Sequence, residues 1–574
     1  MSKRKSSQHN PKMRKPATVR ECFFEVARRL KLTTIFGNPG STELPFLRDF
    51  PDDFRYVLAL QEACAVGMAD GYAQATGKAV LVNLHTAAGL GNAMGNIESA
   101  WYNHAPLIIT AGNQTRELLL LEPYLANAEP SVMPRPYVKW SYEPTRAEDV
   151  PGALIRAYAM AVQPPAGPVF LSLPMDDADK PCPRLPEIRT VTTRLAASPE
   201  QLAPVAAMLD EAKSPVLIIG GAVDEGNGWN NAVRLAERLN TPVWAAPEEG
   251  RAGFPETHPL YRGALPPAVR PLCEMLEGYD LAIVLGAPVF RYHVYIAGDY
   301  LPRGTRLIHV TDNPSEAARA PVGDSILADP GTACGVLADL VSKASRPVPG
   351  PLTRPPKPAM SPKITADLLY YTIKELQPPN SVLVHETESS VRALKERLPT
   401  SSPRSCFTFF SGVLGYALSA SAGIALAERD LKTHRRVINI VGDGAAQYVI
   451  QSIWTAVQHE LPILYVIPRN HEYAVLKAFA KQLKASGVPG LNLPGIDYVS
   501  LAKGYGCEGR RVVRPEDLEP ALREGLAMKT PYLLEVEIDR AFLPLLTGAA
   551  KKGAMTWQQT NQSGDWRTDR LDTG

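Results

Sequence analysis

The segment RVINIVGDGAAQ sets Asp443 between Gly442 and Gly444, directly after an apolar β-branched run. Twenty-five residues separate Gly444 from Asn470, which stands at the end of a second such run, PILYVIP. This spacing puts Asp443 at a strand end facing a helix start. Free backbone N–H groups and the helix dipole favour an anion there. Asp443 and Asn470 are hard oxygen ligands on adjacent strand ends. With a backbone carbonyl, two phosphate oxygens and a water they would complete a near-octahedral Mg²⁺ shell. The flanking glycines and Ala445 leave room for phosphates to approach the backbone. A GDG triplet alone marks an ordinary loop more often than a site. The following helix-like AAQYVIQSIWTAVQ, the second strand and the asparagine turn the reading towards a metal-bound diphosphate.

These residues need strands to position them. Short Val/Ile/Leu runs recur at 79–84, 106–111 and 168–173, then at 215–220, 281–286 and 306–311, then at 381–386, 436–442, 462–467 and 531–538. Such runs fit parallel strands buried on both faces, and their alternation with helix-like stretches predicts α/β architecture with three doubly wound parallel sheets. Ligands in such sheets sit beyond the carboxyl ends of the strands. Two proline-rich stretches, 181–190 and 346–363, cannot continue a helix or a central strand and read as linkers. They divide the chain into units at 18–182, 190–345 and 363–545. A basic tail at 1–17 and a polar tail at 549–574 flank them.

Composition narrows the class. Of 574 residues, 45% are hydrophobic and 21% charged, ordinary globular usage that excludes a mostly disordered or fibrous chain. The formal charge of +2 gives no footprint for nucleic acid. No apolar run is long enough to span a membrane, and the basic start lacks the apolar core of a secretory signal. Seven dispersed cysteines without a CxxC pair predict neither a disulfide framework nor a zinc site, and point to a reducing, cytoplasmic setting.

The strand–GDG–helix–strand–Asn pattern resembles that of thiamin-diphosphate enzymes. Their chemistry needs a carboxylic acid against the aminopyrimidine ring, so that the exocyclic nitrogen can take the thiazolium C2 proton. Glu62 fits, opening a helix rich in small residues in LQEACAVGMADGYAQATGK. Burial among such neighbours suits proton sharing, although a glutamate at a helix start is more often a charge complement to the dipole. Longer stretches resemble the benzoylformate decarboxylase family: FGNPGSTELPFLRDFPDDFRYVLALQEACAVGMADGYAQ, PRPYVKWSYEP, GAPVFRYHVY, EAARAPVGD and IDYVSLAKGYG. The resemblance covers about residues 18–545 and implies a pyrimidine-binding unit, a cofactor-free central Rossmann-like unit and a diphosphate-binding unit.

It implies, residue by residue, that Glu62 activates the pyrimidine and that Asp443, Asn470 and the Glu472 carbonyl bind Mg²⁺. Leu414 would be the wedge beneath the cofactor, and the Gly412 carbonyl would hold the exocyclic amine. Ser41, His85 and His293 would surround the substrate carboxylate and the reacting carbon. Histidines titrate in the range such proton transfers need. Each has a blander reading: a strand-end histidine is often structural, and Ser41 could simply cap a helix. The implied reaction is non-oxidative decarboxylation of a 2-oxo acid, expected to be aromatic, with thiamin diphosphate and Mg²⁺. The implied assembly is a homodimer at minimum and a homotetramer by family expectation. A carboligase or lyase acting on 2-hydroxy ketones, or a decarboxylase of a more polar 2-oxo acid, stands as the alternative.

The chain also departs from the family pattern. Arg469 precedes Asn470 and His471 follows it, where members usually carry a second asparagine and a small residue. A glycine there would supply a conformation that histidine reaches less easily. In the expected substrate pocket Glu388, Thr408 and Val475 differ from the family, Phe479 lines the same pocket, and Tyr124 replaces an aliphatic residue. An uncompensated buried Glu388 would be costly. It could pair with Arg469 or Lys477, or meet a cationic or hydroxylated substrate.

Overall fold

The computed structural model describes residues 17–293 and 295–540. Apart from Ala17, both expected tails lie outside the described residues. Three six-stranded sheets follow one another along the chain, and every strand pair in them is parallel. The first holds β1 (Thr34–Gly37), β2 (Arg55–Leu58), β3 (Val80–Leu84), β4 (Leu107–Asn113), β5 (Ser141–Tyr142) and β6 (Val169–Pro174), in the order β2-β1-β3-β4-β6-β5. The second holds β7 (Pro215–Ile219), β8 (Val243–Ala245), β9 (Tyr261–Ala264), β10 (Leu281–Leu285), β11 (Arg306–Thr311) and β12 (Asp324–Leu327), in the order β12-β11-β10-β7-β8-β9. The third holds β13 (Val382–Glu386), β14 (Cys406–Thr408), β15 (Val437–Val441), β16 (Ile463–Arg469), β17 (Glu508–Val512) and β18 (Tyr532–Glu537), in the order β14-β13-β15-β16-β18-β17.

All ten apolar runs are strands. Most strands without such a run lie at a sheet edge, where one side pairs with nothing and polar residues are tolerated; EGRRV in β17 is the plainest case.

Helices α1 (Val19–Arg29), α2 (Glu62–Thr76), α3 (Thr86–Tyr102), α4 (Ala417–Asp430) and α5 (Ala474–Gln482) matter most for the site. A capping box between Thr18 and Glu21 starts α1. Helix α2, from the first unit, packs along α4, from the third. Their approach demands glycine: a Cβ on Gly423 would lie 1.8 Å from the Met68 carbonyl oxygen, and one on Gly71 would lie 2.4 Å from that of Ala420. One apolar core therefore runs through both units, from Phe36 and Val82 to Tyr465 and Leu533. The central unit has separate clusters around Leu217 and Leu337 and around Val216 and Leu272.

Two expectations need correction. The stretch after GDG is not one helix but two short ones, Asp443–Ala446 and Ser452–Gln458. Between them the bonds tighten to the i→i+3 type, as in Tyr448 N–H to Ala445 O. The β-branched pair Val449–Ile450 falls in this break, and the Val449 carbonyl accepts from Cys64 Sγ across the unit boundary. The cysteines are not all unpaired either: Cys22 and Cys182 form a disulfide. Their 160-residue separation hid the pairing, which follows from Val19 N–H to Lys180 O and Cys182 N–H to Ala17 O bringing the two ends of the first unit together. No helix among the described residues is long and apolar enough to cross a membrane.

Candidate active site

The first unit supplies one group of residues at the carboxyl ends of β1 and β3. His85 leaves β3 and stands at the start of α3. Its Nδ1 lies 2.9 Å from Glu43 Oε2 and 3.3 Å from Thr42 Oγ1. Glu43 is 2% exposed and accepts three further hydrogen bonds, from Gly40 N–H, Gly112 N–H and the Thr42 hydroxyl. Gly40 is obligatory here, since a Cβ would lie 2.1 Å from the His85 ring. Ser41 stands exposed in the turn before Leu44–Leu47 and caps no helix, because the N-cap is Glu43. Its blander reading is therefore set aside. Glu62 opens α2 and is buried among the small residues, its Oε2 accepting from Asn92 Nδ2 at 3.1 Å. Glu43 escaped the sequence reading, although it lies two residues after Ser41 in GNPGSTE.

The third unit supplies the second group. Glu386, the last residue of β13, accepts from the N–H groups of Gly415, Tyr416 and Ala417 at 2.8, 3.0 and 2.8 Å, which closes the start of α4. Burial pushes its carboxyl up to about 7, and those three donors pull against that rise. Its carbonyl accepts from Gly442 N–H at 2.9 Å. One buried glutamate thus ties the Gly412–Leu414 loop to the GDG turn. Sequence alone had placed it only as the end of a strand. Leu414 packs against the shared core, and Gly412 takes a left-handed φ of 82°.

Asp443 is 4% exposed. Its Oδ1 accepts from Gly444 N–H and its Oδ2 from His471 N–H, while burial raises its carboxyl above the ordinary aspartate value. Asn470 Oδ1 accepts from Glu472 N–H at 3.1 Å. Residues 471–473 pair with 491–493 through Leu493 N–H to His471 O and Tyr473 N–H to Leu491 O, neither of which uses the Glu472 carbonyl. His471 sits at φ 65°, the left-handed conformation in which glycine would be at ease. Its ring Nε2 meets Glu537 Oε1, which holds it there. Among the described residues no three His, Cys, Asp or Glu side chains converge on a metal site. The donors present are one carboxylate, one amide and a backbone carbonyl, all hard oxygens suited to Mg²⁺. A Cβ on Gly412 would meet nothing within 4 Å, and one on Gly442 only the Glu386 carbonyl at 3.7 Å. The backbone here is open to a ligand, and the residues fit a diphosphate held by Mg²⁺.

The central unit reaches the same region. Arg291 stacks 3.5 Å from the Phe410 ring centroid and 4.7 Å from that of Tyr102, and its Nη1 donates to the Phe410 carbonyl. Two residues on, His293 is exposed with its ring centroid 5.1 Å from that of Phe479 on α5, at a near-perpendicular angle. Val475 is partly buried on the same helix. Thr408 on β14 donates to the His385 carbonyl and its N–H donates to Gly250 O. Tyr124 is 87% exposed. The Gly220–Gly221 turn of the central sheet is filled by Glu249, whose Oε2 accepts from Gly221 N–H at 2.5 Å.

Comparison with known proteins agrees with this geometry. Three models of the thiamine pyrophosphate enzyme match in order: the N-terminal TPP binding domain at 17–129, the central domain at 202–337 and the C-terminal TPP binding domain at 389–536. The benzoylformate decarboxylase of Pseudomonas aeruginosa is 44% identical over 523 residues, covering 90% of this chain and 98% of that one. The chain belongs to the benzoylformate decarboxylase family of thiamin-diphosphate enzymes. The crystal structure of benzoylformate decarboxylase from Polynucleobacter necessarius superposes with a TM-score of 0.90 at 44% identity, covering 92% of this chain and all of that one. The thiamine diphosphate-dependent 4-hydroxybenzoylformate decarboxylase of Rhodococcus jostii gives 0.88 at 43% identity, covering 91% and 99%. The three matched models reach all three sheets.

Proposed function

We propose that this chain decarboxylates an aromatic 2-oxo acid without oxidation, releasing an aldehyde and carbon dioxide, with Mg²⁺ held by Asp443, Asn470 and the Glu472 carbonyl. At the coarser level the chain is a thiamin-diphosphate-dependent 2-oxo acid decarboxylase, a carboxy-lyase of its family. The observation that carries the finer reading is the joint burial of Glu62 at the start of α2 and of Asp443 and Asn470 at adjacent strand ends.

When bound, the cofactor supplies a carbon nucleophile and accepts the electrons left behind as carbon dioxide departs. The protein manages protons and orientation. Glu62, steadied by Asn92, would hold the pyrimidine nitrogen of the bound cofactor. Glu43 engages His85 Nδ1, which leaves Nε2 as the atom that moves a proton. The Ser41 hydroxyl and His293 receive the substrate carboxylate and its carbonyl oxygen. Leu414, packed against the shared core, would support the bound cofactor.

The same reading makes the working unit a homodimer at least, with a homotetramer as the family expectation. Large apolar residues stand exposed on the elements that carry the site: Leu44 and Leu60 before Glu62, Leu120 and Leu121 at the end of Arg116–Leu119, and Leu483 just after α5. A second copy would cover them. Light scattering that finds an active monomer would contradict this part.

The deciding experiment measures carbon dioxide release from benzoylformate with and without thiamin diphosphate and Mg²⁺, beside Glu62→Gln. Cofactor-dependent release, cut at least a hundredfold in the variant, is expected. A folded protein that releases none would shift the reading towards carboligation or a more polar 2-oxo acid.

A further inference from the structure

Glu388 lies two residues beyond Glu386, on the strand end that joins the Leu414 loop to the GDG turn. On one side, β14 brings Thr408 to the same rim; on the other, β15 brings Asp443. Glu388 thus follows by two residues the glutamate that holds both the cofactor-binding loop and the metal turn.

The two cations that the sequence offered as partners are engaged elsewhere. Arg469 pairs with Glu535, and Lys477 with Glu472 and Asn492. Among the described residues no hydrogen bond or ion pair reaches the Glu388 carboxyl. Its charged surroundings are Glu248 from the central unit, Glu386, whose oxygens are taken by three N–H donors, and Lys395 on Val391–Arg397, which acts on it only at a distance. A partly buried carboxyl without a protein donor is costly to retain. It becomes favourable once a ligand brings the donor.

Resting on the decarboxylase reading, we propose that Glu388 selects the substrate: its carboxyl accepts a hydrogen bond from a ring hydroxyl, so the preferred substrates are aromatic 2-oxo acids hydroxylated on the ring. A site built to bond a hydroxyl rejects the analogue lacking it far more strongly than an apolar pocket rejects a methyl group.

The test compares kcat/KM for benzoylformate, its 4-methyl analogue, and its 3- and 4-hydroxy analogues, using the holoenzyme. The wild type should favour at least one hydroxylated acid over both others by tenfold or more. Glu388→Thr should remove that preference and raise turnover of benzoylformate. Glu388→Gln, which keeps the shape and one acceptor oxygen, should retain part of it. Equal use of the methyl and hydroxyl analogues, or a preference unchanged in Glu388→Thr, would overturn the proposal and leave the decarboxylase reading standing. Release of carbon dioxide from none of the four would overturn that reading as well.

Discussion

Glu43 shows how much a single residue can hold. Its two carboxylate oxygens collect His85, the Thr42 hydroxyl and two backbone N–H groups in a space with almost no solvent. Removing its charge leaves the imidazole without the partner that fixes its orientation. Glu43→Gln should lower kcat/KM ten- to a hundredfold with little change in cofactor affinity, as steady-state kinetics and calorimetric titration would read. An equal loss of cofactor binding would make it a folding residue instead. His471 makes a different point. Sequence gave the warning that histidine stands where a glycine conformation is wanted, and the left-handed φ of 65° agrees with it. The Glu537 contact that steadies the ring comes from β18, far away in sequence, and no motif announced it. A β-branched residue has no comfortable conformation there, so His471→Val should cost about 1–2 kcal/mol and weaken Mg²⁺ binding. His471→Gly should be close to neutral in denaturant titration. Equal effects of the two would show that backbone conformation is not what the position controls.

Between elements, legibility depended on whether the signal was local. The buried strands announced themselves because both of their faces must be apolar. Asp443, Asn470 and Glu62 could be read because a strand end and a helix start leave a local pattern. What sequence hid were contacts between residues far apart in the chain: the Cys64 contact at the Val449–Ile450 break, the grip of Glu386 on the start of α4, and the Arg291 stack. Arg291 registers the His293 segment against the Phe410–Leu414 loop. Arg291→Lys keeps the charge but not the planar stack, and should lower kcat about tenfold while KM changes little. A KM effect alone would show that the residue shapes the entrance and not the alignment. Small residues between α2 and α4 gave a partial signal, since the run AVGMADG suggested burial without naming a partner. Gly423→Ala should destabilise by about 1–3 kcal/mol, because the new methyl would meet the Met68 carbonyl with no room to move. An unchanged melting temperature would contradict such close contact.

In the whole molecule, the three units do not stand on equal terms. The central one has its own cores and contributes a buried carboxyl, Glu249, which burial pushes up to about 8. A glutamic acid whose folded value lies above its unfolded value adds stability below about pH 4.5, and that stability is lost as the pH rises through 8. The melting temperature should therefore fall between about pH 5 and 8, and fall less in Glu249→Gln; parallel slopes would remove Glu249 as a cause. The first and third units each have a cluster of their own but also share one, from Phe36 to Leu533. The ribosome makes the chain in the least convenient order for this arrangement. The first unit emerges with the α2 face uncovered and must wait while roughly two hundred residues of linker and central unit are added. At typical rates of synthesis that takes roughly 10–40 s. Throughout that interval Gly67, Gly71 and their apolar neighbours have no α4 to rest against. A nascent chain stalled before residue 417 should therefore be a substrate for chaperones, however stable the finished enzyme proves to be.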